Sequence, residues 1–122
     1  MKSAILKKYG GPETLIYYSN IQKPVVTDPE QVLVRVTSVA LSSLDVEVRN
    51  GEWEHIQNDD FQNQNQPYIL GYEFAGTVES VGAAVTNFKS NEEVCGLCPI
   101  TTRNGACAEY IVVNENNTIQ TT

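Results

Sequence analysis

Cys95-Gly96-Leu97-Cys98 has the spacing at which two thiols share a metal ion or cycle through a disulfide. Cys107 and His55 complete the soft-ligand set of this 122-residue chain, which holds three cysteines and one histidine. The expected local geometry works against that chemistry. The segment reads as a strand, and residues three apart on a strand point to opposite faces, so the two sulfurs meet only if the chain turns at Gly96. His55 lies in a polar stretch with no partner close in sequence. The expectation is buried, inert thiols and no metal site.

Carboxylates are the next candidates. Asp45 and Arg49 stand four apart in a segment of helical period, so they can pair on one helix face. Such a pair either braces a site or is a surface ion pair worth under ~1 kcal/mol. Glu73 sits inside Gly71-Tyr72-Glu73-Phe74-Ala75-Gly76-Thr77-Val78-Glu79-Ser80-Val81-Gly82, a strand-like run framed by glycines. Glycine within a strand marks a bulge, a bend or a close backbone approach. Glu73 therefore reads as a structural carboxylate, hydrogen-bonded near a bent strand, rather than as a general base.

The elements that must position these groups are mostly short strands. Ser3 to Leu6 and Leu15 to Tyr18 flank a Gly10-Gly11-Pro12 turn. Gln31 to Val39 alternates, with Val32, Val34 and Val36 on one face and Leu33, Arg35 and Thr37 on the other. Leu41, Leu44 and Val48 then switch to helical spacing, with Ser42 or Ser43 as cap and Asp45 in the first turn. A polar stretch, Gly51 to Pro67, carries seven Asn and Gln residues, from Gln57 to Gln66, and reads as a surface insertion. Trp53 and Phe61, in or beside it, either contact a planar substrate or pin the loop to the core. Strands are expected again at Phe74–Val81, Glu93–Leu97, Ala106–Val113 and Thr118–Thr122. Many short strands with one or two short helices predict a mainly β fold, a small, partly open barrel.

Composition narrows the function classes. The net charge is -7, which argues against nucleic acid and against anionic membrane surfaces. No apolar run reaches the length of a membrane span. The apolar core of the first eight residues is too short for a secretory signal, so the expected compartment is the cytoplasm.

Taken in order, these pieces resemble the N-terminal catalytic domain of the medium-chain dehydrogenase/reductase superfamily, a barrel similar to the GroES co-chaperonin. The matching motifs are Ala40-Leu41-Ser42-Ser43-Leu44-Asp45, Arg49-Asn50-Gly51, Pro67-Tyr68-Ile69-Leu70-Gly71-Tyr72-Glu73-Phe74-Ala75-Gly76, Val78-Glu79-Ser80-Val81-Gly82 and Gly105-Ala106-Cys107-Ala108-Glu109-Tyr110. The resemblance spans nearly the whole chain. The zinc-dependent members of that superfamily place a cysteine where this chain has Ser42 and a histidine where it has Tyr72. Leu97 to Gly105 is also too short for their four-cysteine lobe. The chain thus resembles the zinc-independent branch: quinone oxidoreductases, zeta-crystallin and quinone oxidoreductase-like proteins.

The resemblance implies a reaction in which NADPH delivers a hydride to a quinone or an α,β-unsaturated carbonyl. It implies Ser42 and Tyr72 as candidate catalytic donors, and Ser42 and Asp45 as candidate cofactor contacts. Leu44, Trp53, Tyr68 and Tyr72 would line the substrate cleft. Each also has a plain structural reading: Ser42 as a helix cap, Tyr72 as core. Nothing here resembles a glycine-rich phosphate loop, so the nucleotide-binding domain is expected to be absent from residues 1–122, and no cofactor is expected on this chain alone. The alternative is a stand-alone GroES-like module for binding or oligomerisation. An open cleft wall around Ser42, Leu44 and Tyr72 would favour a homo-oligomer.

Overall fold

The structure, a computed structural model, describes residues 1–54 and 68–121. His55, Phe61 and the Asn/Gln-rich stretch lie outside the described residues. Among the described residues, eight strands and one α-helix follow in order: β1 (Ser3–Leu6), β2 (Leu15–Tyr18), β3 (Gln31–Ala40), α1 (Ser43–Asn50), β4 (Tyr68–Ile69), β5 (Glu73–Val81), β6 (Glu93–Leu97), β7 (Tyr110–Asn114) and β8 (Thr118–Gln120). Single 3₁₀ turns lie at Pro12–Thr14 and Glu115–Asn117.

The strands form two antiparallel sheets, β2-β1-β4 and β7-β3-β5-β6-β8. Residues 102–109 tie the two together. On the three-stranded side, Ala4 N–H donates to Cys107 O at 3.0 Å, Glu109 N–H to Lys2 O at 3.1 Å and Ile69 N–H to Arg103 O at 2.8 Å; on the five-stranded side, Val36 N–H of β3 donates to Glu109 O at 2.8 Å. The result is the partly open barrel expected.

Alternation builds the core. Val32, Val34, Phe74, Val78, Val94, Ile111 and Val113 are buried on the inner faces of β3, β5, β6 and β7. Each such side chain contributes roughly 1.5–3 kcal/mol of burial. Leu33 is buried as well, so the start of β3 is covered on both faces where simple alternation predicts one.

The bends fall elsewhere than the glycines imply. Leu33 pairs with Ser80 and Val34 with Val78, leaving Glu79 as an extra residue on β5. Val36 pairs with Gly76 and Ser38 with Ala75, leaving Thr37 as an extra residue on β3. Gly76 serves close approach instead: a Cβ there would lie 2.3 Å from Arg35 O, inside the neighbouring strand. Of Gly71, Gly76 and Gly82, only Gly71 has a left-handed backbone, at φ 103°.

Two further boundaries differ. Residues 106–109 are not the start of β7, because their amides leave the ladder to bond Gly71 O, Leu70 O and Lys2 O. Tyr68–Ile69 forms a strand against β1 that no alternation announces, since two residues carry no period.

Candidate active site

Ser42 is the N-cap of α1. Leu44 N–H donates to Ser42 Oγ at 3.3 Å, and Ser42 N–H donates to Asp45 Oδ2 at 2.9 Å. This is a reciprocal capping box, with Asp45 standing where Glu or Gln is usual. The Ser42 side chain stays exposed, and its hydroxyl lies 3.4 Å from Asp45 Oδ2. The helix stops at Gly51, whose left-handed φ of 89° lets its N–H reach back to Glu47 O and Val48 O.

Asp45 does more than cap. Its Oδ1 accepts from Gly71 N–H at 3.0 Å, joining the start of α1 to the entry of β5, and the carboxylate is buried. Asp45 and Arg49 do not pair. Arg49 Nε instead donates to Gly10 O at 3.1 Å, and Gly10 N–H donates to Arg49 O at 2.9 Å. The four-residue spacing permits an ion pair, but Gly71 offers the buried carboxylate a donor and Gly10 takes the guanidinium. No local signal reveals the Asp45–Gly71 bond, because its partners are 26 residues apart.

Tyr72 and Tyr68 are core residues, 4% and 2% exposed. Leu44, Trp53 and Cys107 pack, half-buried, against the cluster that contains both tyrosines. Tyr68 and Tyr72 thus belong to the core, Leu44 and Trp53 pack on it, and Ser42 lies exposed at the start of α1. The expected open wall fails at Tyr72, which is covered. Leu41, next to Ser42, is the large apolar side chain left out, at 68% exposed. Glu73 also departs from expectation: it is exposed, and its carboxylate accepts no hydrogen bond among the described residues.

The thiols separate. Cys95 faces a shallow apolar groove of about 360 Å³ with Leu97 and Ile119, whereas Cys98 belongs to the core cluster. Cys98 N–H donates to Tyr72 O at 2.8 Å and Cys107 N–H to Leu70 O at 2.9 Å, so both residues grip the segment around Gly71. Burial pushes the Cys98 thiol up to about 12, and the nearby Cys107 adds to it. Burial likewise raises Cys107 to about 11, helped by the Asp45 carboxylate. Both sulfurs are protonated at neutral pH and hence poor nucleophiles and ligands. Among the described residues, no three His, Cys, Asp or Glu side chains cluster as a metal site, and no helix is long and apolar enough to cross a membrane.

Residues 28–122 match the family model of the alcohol dehydrogenase GroES-like domain. The chain belongs to that family. Human mitochondrial NAD(P)H oxidoreductase RTN4IP1 is 28% identical over 123 aligned positions, covering 95% of this chain and 31% of its own length. The chloroplastic NADPH-dependent alkenal/one oxidoreductase of Arabidopsis thaliana is 34% identical over 94 residues, 77% of this chain and 22% of that protein. Among solved structures, the quinone oxidoreductase of Pseudomonas syringae superposes with a TM-score of 0.77 at 31% identity, over 99% of this chain and 33% of that one. This GroES-like chain thus spans between about a fifth and a third of the three proteins just named. Two of those relatives carry organelle names, mitochondrial and chloroplastic, so a cytoplasmic location is not established by kinship.

Proposed function

We propose that this chain is the substrate-side wall of a zinc-independent, NADPH-dependent oxidoreductase that reduces quinones or α,β-unsaturated carbonyls. The observation that carries the reading is the pair of side chains at positions 42 and 72. An exposed serine hydroxyl stands at a helix N-cap, beside a cluster holding a buried tyrosine, and neither is a good zinc ligand. The relatives named above support the reaction class.

The residues present suit one end of the cofactor. A serine hydroxyl and the apolar surface of Leu44 and Trp53 match a planar, amide-bearing ring. No lysine stands in the capping box to hold phosphates, and Arg49 is tied to Gly10. The phosphate-binding part belongs to a nucleotide-binding domain outside residues 1–122. When bound, NADPH supplies the hydride.

The work of this chain is to place and polarise the acceptor. Ser42 Oγ–H turns from Asp45, a long 3.4 Å contact, toward the carbonyl oxygen that gains negative charge. Such a donor, fixed in advance, favours the transition state over the ground state. The first amides of α1 add positive potential at the same end. Asp45 holds the cap in place through Ser42 N–H. Leu44 and Trp53 exclude water from the reacting face, and Tyr68 and Tyr72 stiffen the wall behind them.

The test is an NADPH-oxidation assay on the longer protein that carries this chain, with a naphthoquinone and a simple enone as acceptors. Turnover is expected to survive dialysis against a chelator, and Ser42→Ala to lower kcat by roughly tenfold or more. Activity lost to the chelator and restored by zinc would refute the metal-free reading. Absence of NADPH oxidation with both acceptors would refute the reaction. Residues 1–122 alone should not bind NADPH at micromolar concentration.

A further inference from the structure

The smaller sheet ends on an open strand. β2 reads Leu15-Ile16-Tyr17-Tyr18, with no charge, proline or bulge to guard it. Its four side chains are exposed, Tyr17 at 67%. In the order β2-β1-β4, no described strand lies on its outer side. The hydrogen bonds of β1 fix which way the β2 backbone points. Ala4 pairs with Tyr17, yet Ala4 N–H donates to Cys107 O, away from β2. Lys7 N–H donates to Thr14 O at 3.1 Å. Bonded and non-bonded pairs alternate in an antiparallel ladder. Ile16 and Tyr18 therefore bond to β1, while the N–H and C=O of Tyr17 and the C=O of Leu15 face the open edge. Such a row is a template for a further strand.

The surroundings select the strand that adds. Of the chain's 15 acidic residues only Glu13 precedes residue 28, whereas Lys2, Lys7, Lys8 and Lys23, half of its 8 basic residues, do. Lys23 is paired with Glu79 at 2.6 Å. Lys2, Lys7 and Lys8 are exposed and make no ion pair among the described residues. Lys7 and Lys8 stand beside the start of β2 and Lys2 beside its end, with Lys7 Nζ 5.7 Å from the Tyr18 ring centroid. Glu13 and Glu109 lie near the two ends, and Glu109 accepts from Lys2 N–H at 2.6 Å. Lysines still outnumber carboxylates along the hairpin. Tyr17 is also one wall of a shallow groove of about 330 Å³ that reaches Val36 and Val39 of β3. A residue paired with Tyr17 projects on the same face as Tyr17, and so over that groove.

We propose that the edge of β2 binds an extended acidic peptide segment as an added antiparallel strand. Its centre is apolar or hydroxyl-bearing, and aspartate or glutamate stands at both ends. Main-chain bonds to Tyr17 and Leu15 hold it, the lysines at the two ends meet its carboxylates, and the side chain opposite Tyr17 enters the groove. A second copy of β2 is the poorer occupant, because antiparallel pairing brings Lys7 and Lys8 of one copy toward Lys2 of the other.

The experiment follows the fluorescence anisotropy of labelled peptides titrated with the 122-residue chain. Each peptide alternates valine and threonine at its centre; one carries paired aspartates at both ends, the other paired lysines. The acidic peptide is expected to bind at least about tenfold more tightly than the basic one. N-methylation of two successive central residues blocks both of its edges and should weaken it at least about tenfold. Lys7→Glu/Lys8→Glu should weaken the acidic peptide about tenfold. Lys89→Glu, at an exposed lysine outside the hairpin, should leave it within about twofold. Tyr17→Pro removes the outward N–H, a change that an edge strand tolerates, and should abolish binding with the far-ultraviolet circular dichroism unchanged. Equal affinity for the two charged peptides, an N-methylated peptide that binds as well, or an equal loss in Lys89→Glu would each overturn the assignment. So would sedimentation in which Tyr17→Pro abolishes self-association, since a second copy would then hold the edge.

Discussion

Asp45 accepts one hydrogen bond from Ser42 within its own helix cap and one from Gly71 across the fold. Replacing it with alanine removes a charge-assisted cap and leaves a buried amide without its acceptor. Asp45→Ala is expected to cost about 2–4 kcal/mol, read from the urea midpoint, and Asp45→Asn less, because one acceptor oxygen remains. The thiols give a pH signature. Cys98 and Cys107 titrate at about 12 and about 11 in the fold against an ordinary 9.0. Above pH 9 the unfolded chain releases protons that the folded chain keeps. Stability from these groups is therefore full below pH 9 and falls as pH rises toward 11 and 12. Urea unfolding at pH 8 and at pH 10.5 should show this fall, and a Cys98→Ala/Cys107→Ala variant should show a shallower one. Residue types announced the helix cap; of the three thiols expected to be buried, Cys98 is, while Cys95 and Cys107 are only half-buried. Residue types were silent on Asp45–Gly71, because a contact made by the fold leaves no local spacing to read.

At the scale of the element, β3 and β5 carry the sheet, and Gly76 sets how closely they approach. A Cβ there would meet Arg35 O at 2.3 Å and Val34 Cγ1 at 2.7 Å. Gly76→Ala should cost at least about 2 kcal/mol through overpacking. It should also raise amide exchange along Val34–Val36, which hydrogen exchange followed by mass spectrometry would detect. The strands with a long apolar alternation, β3 and β5, were legible in the sequence almost to the residue. The bulges at Thr37 and Glu79 were not, because neither residue differs in type from its neighbours in a way that marks an extra position. Residues 106–109 looked like strand for a related reason. Their composition suits extended backbone, but their partners are Leu70, Gly71 and Lys2 rather than a neighbour in the ladder.

For the molecule as a whole, Leu97 and Ile119 stand exposed on the outer face of the five-stranded sheet, at 58% and 64%, with Leu41 at 68%. The net charge of -7 opposes association, yet apolar exposure at a sheet edge favours it. Sedimentation equilibrium of residues 1–122 is expected to show self-association that grows with concentration and salt. A Leu97→Glu/Ile119→Glu variant should remain monomeric. A strict monomer at high salt would count against this face as an interface. The fold class and family were legible because many short motifs recur in one order, a property of the chain as a whole. The packing of Tyr72 was not, since a tyrosine after a glycine serves cleft or core equally well until its neighbours are known.

The bond from Asp45 to Gly71 closes the chain on either side of residues 51–67. One carboxylate therefore fixes both where the first turn of α1 begins and where the chain enters β5. Asp45→Glu, which lengthens that arm by one methylene, is expected to loosen the two together, so that whichever of them a probe reports, the other moves with it.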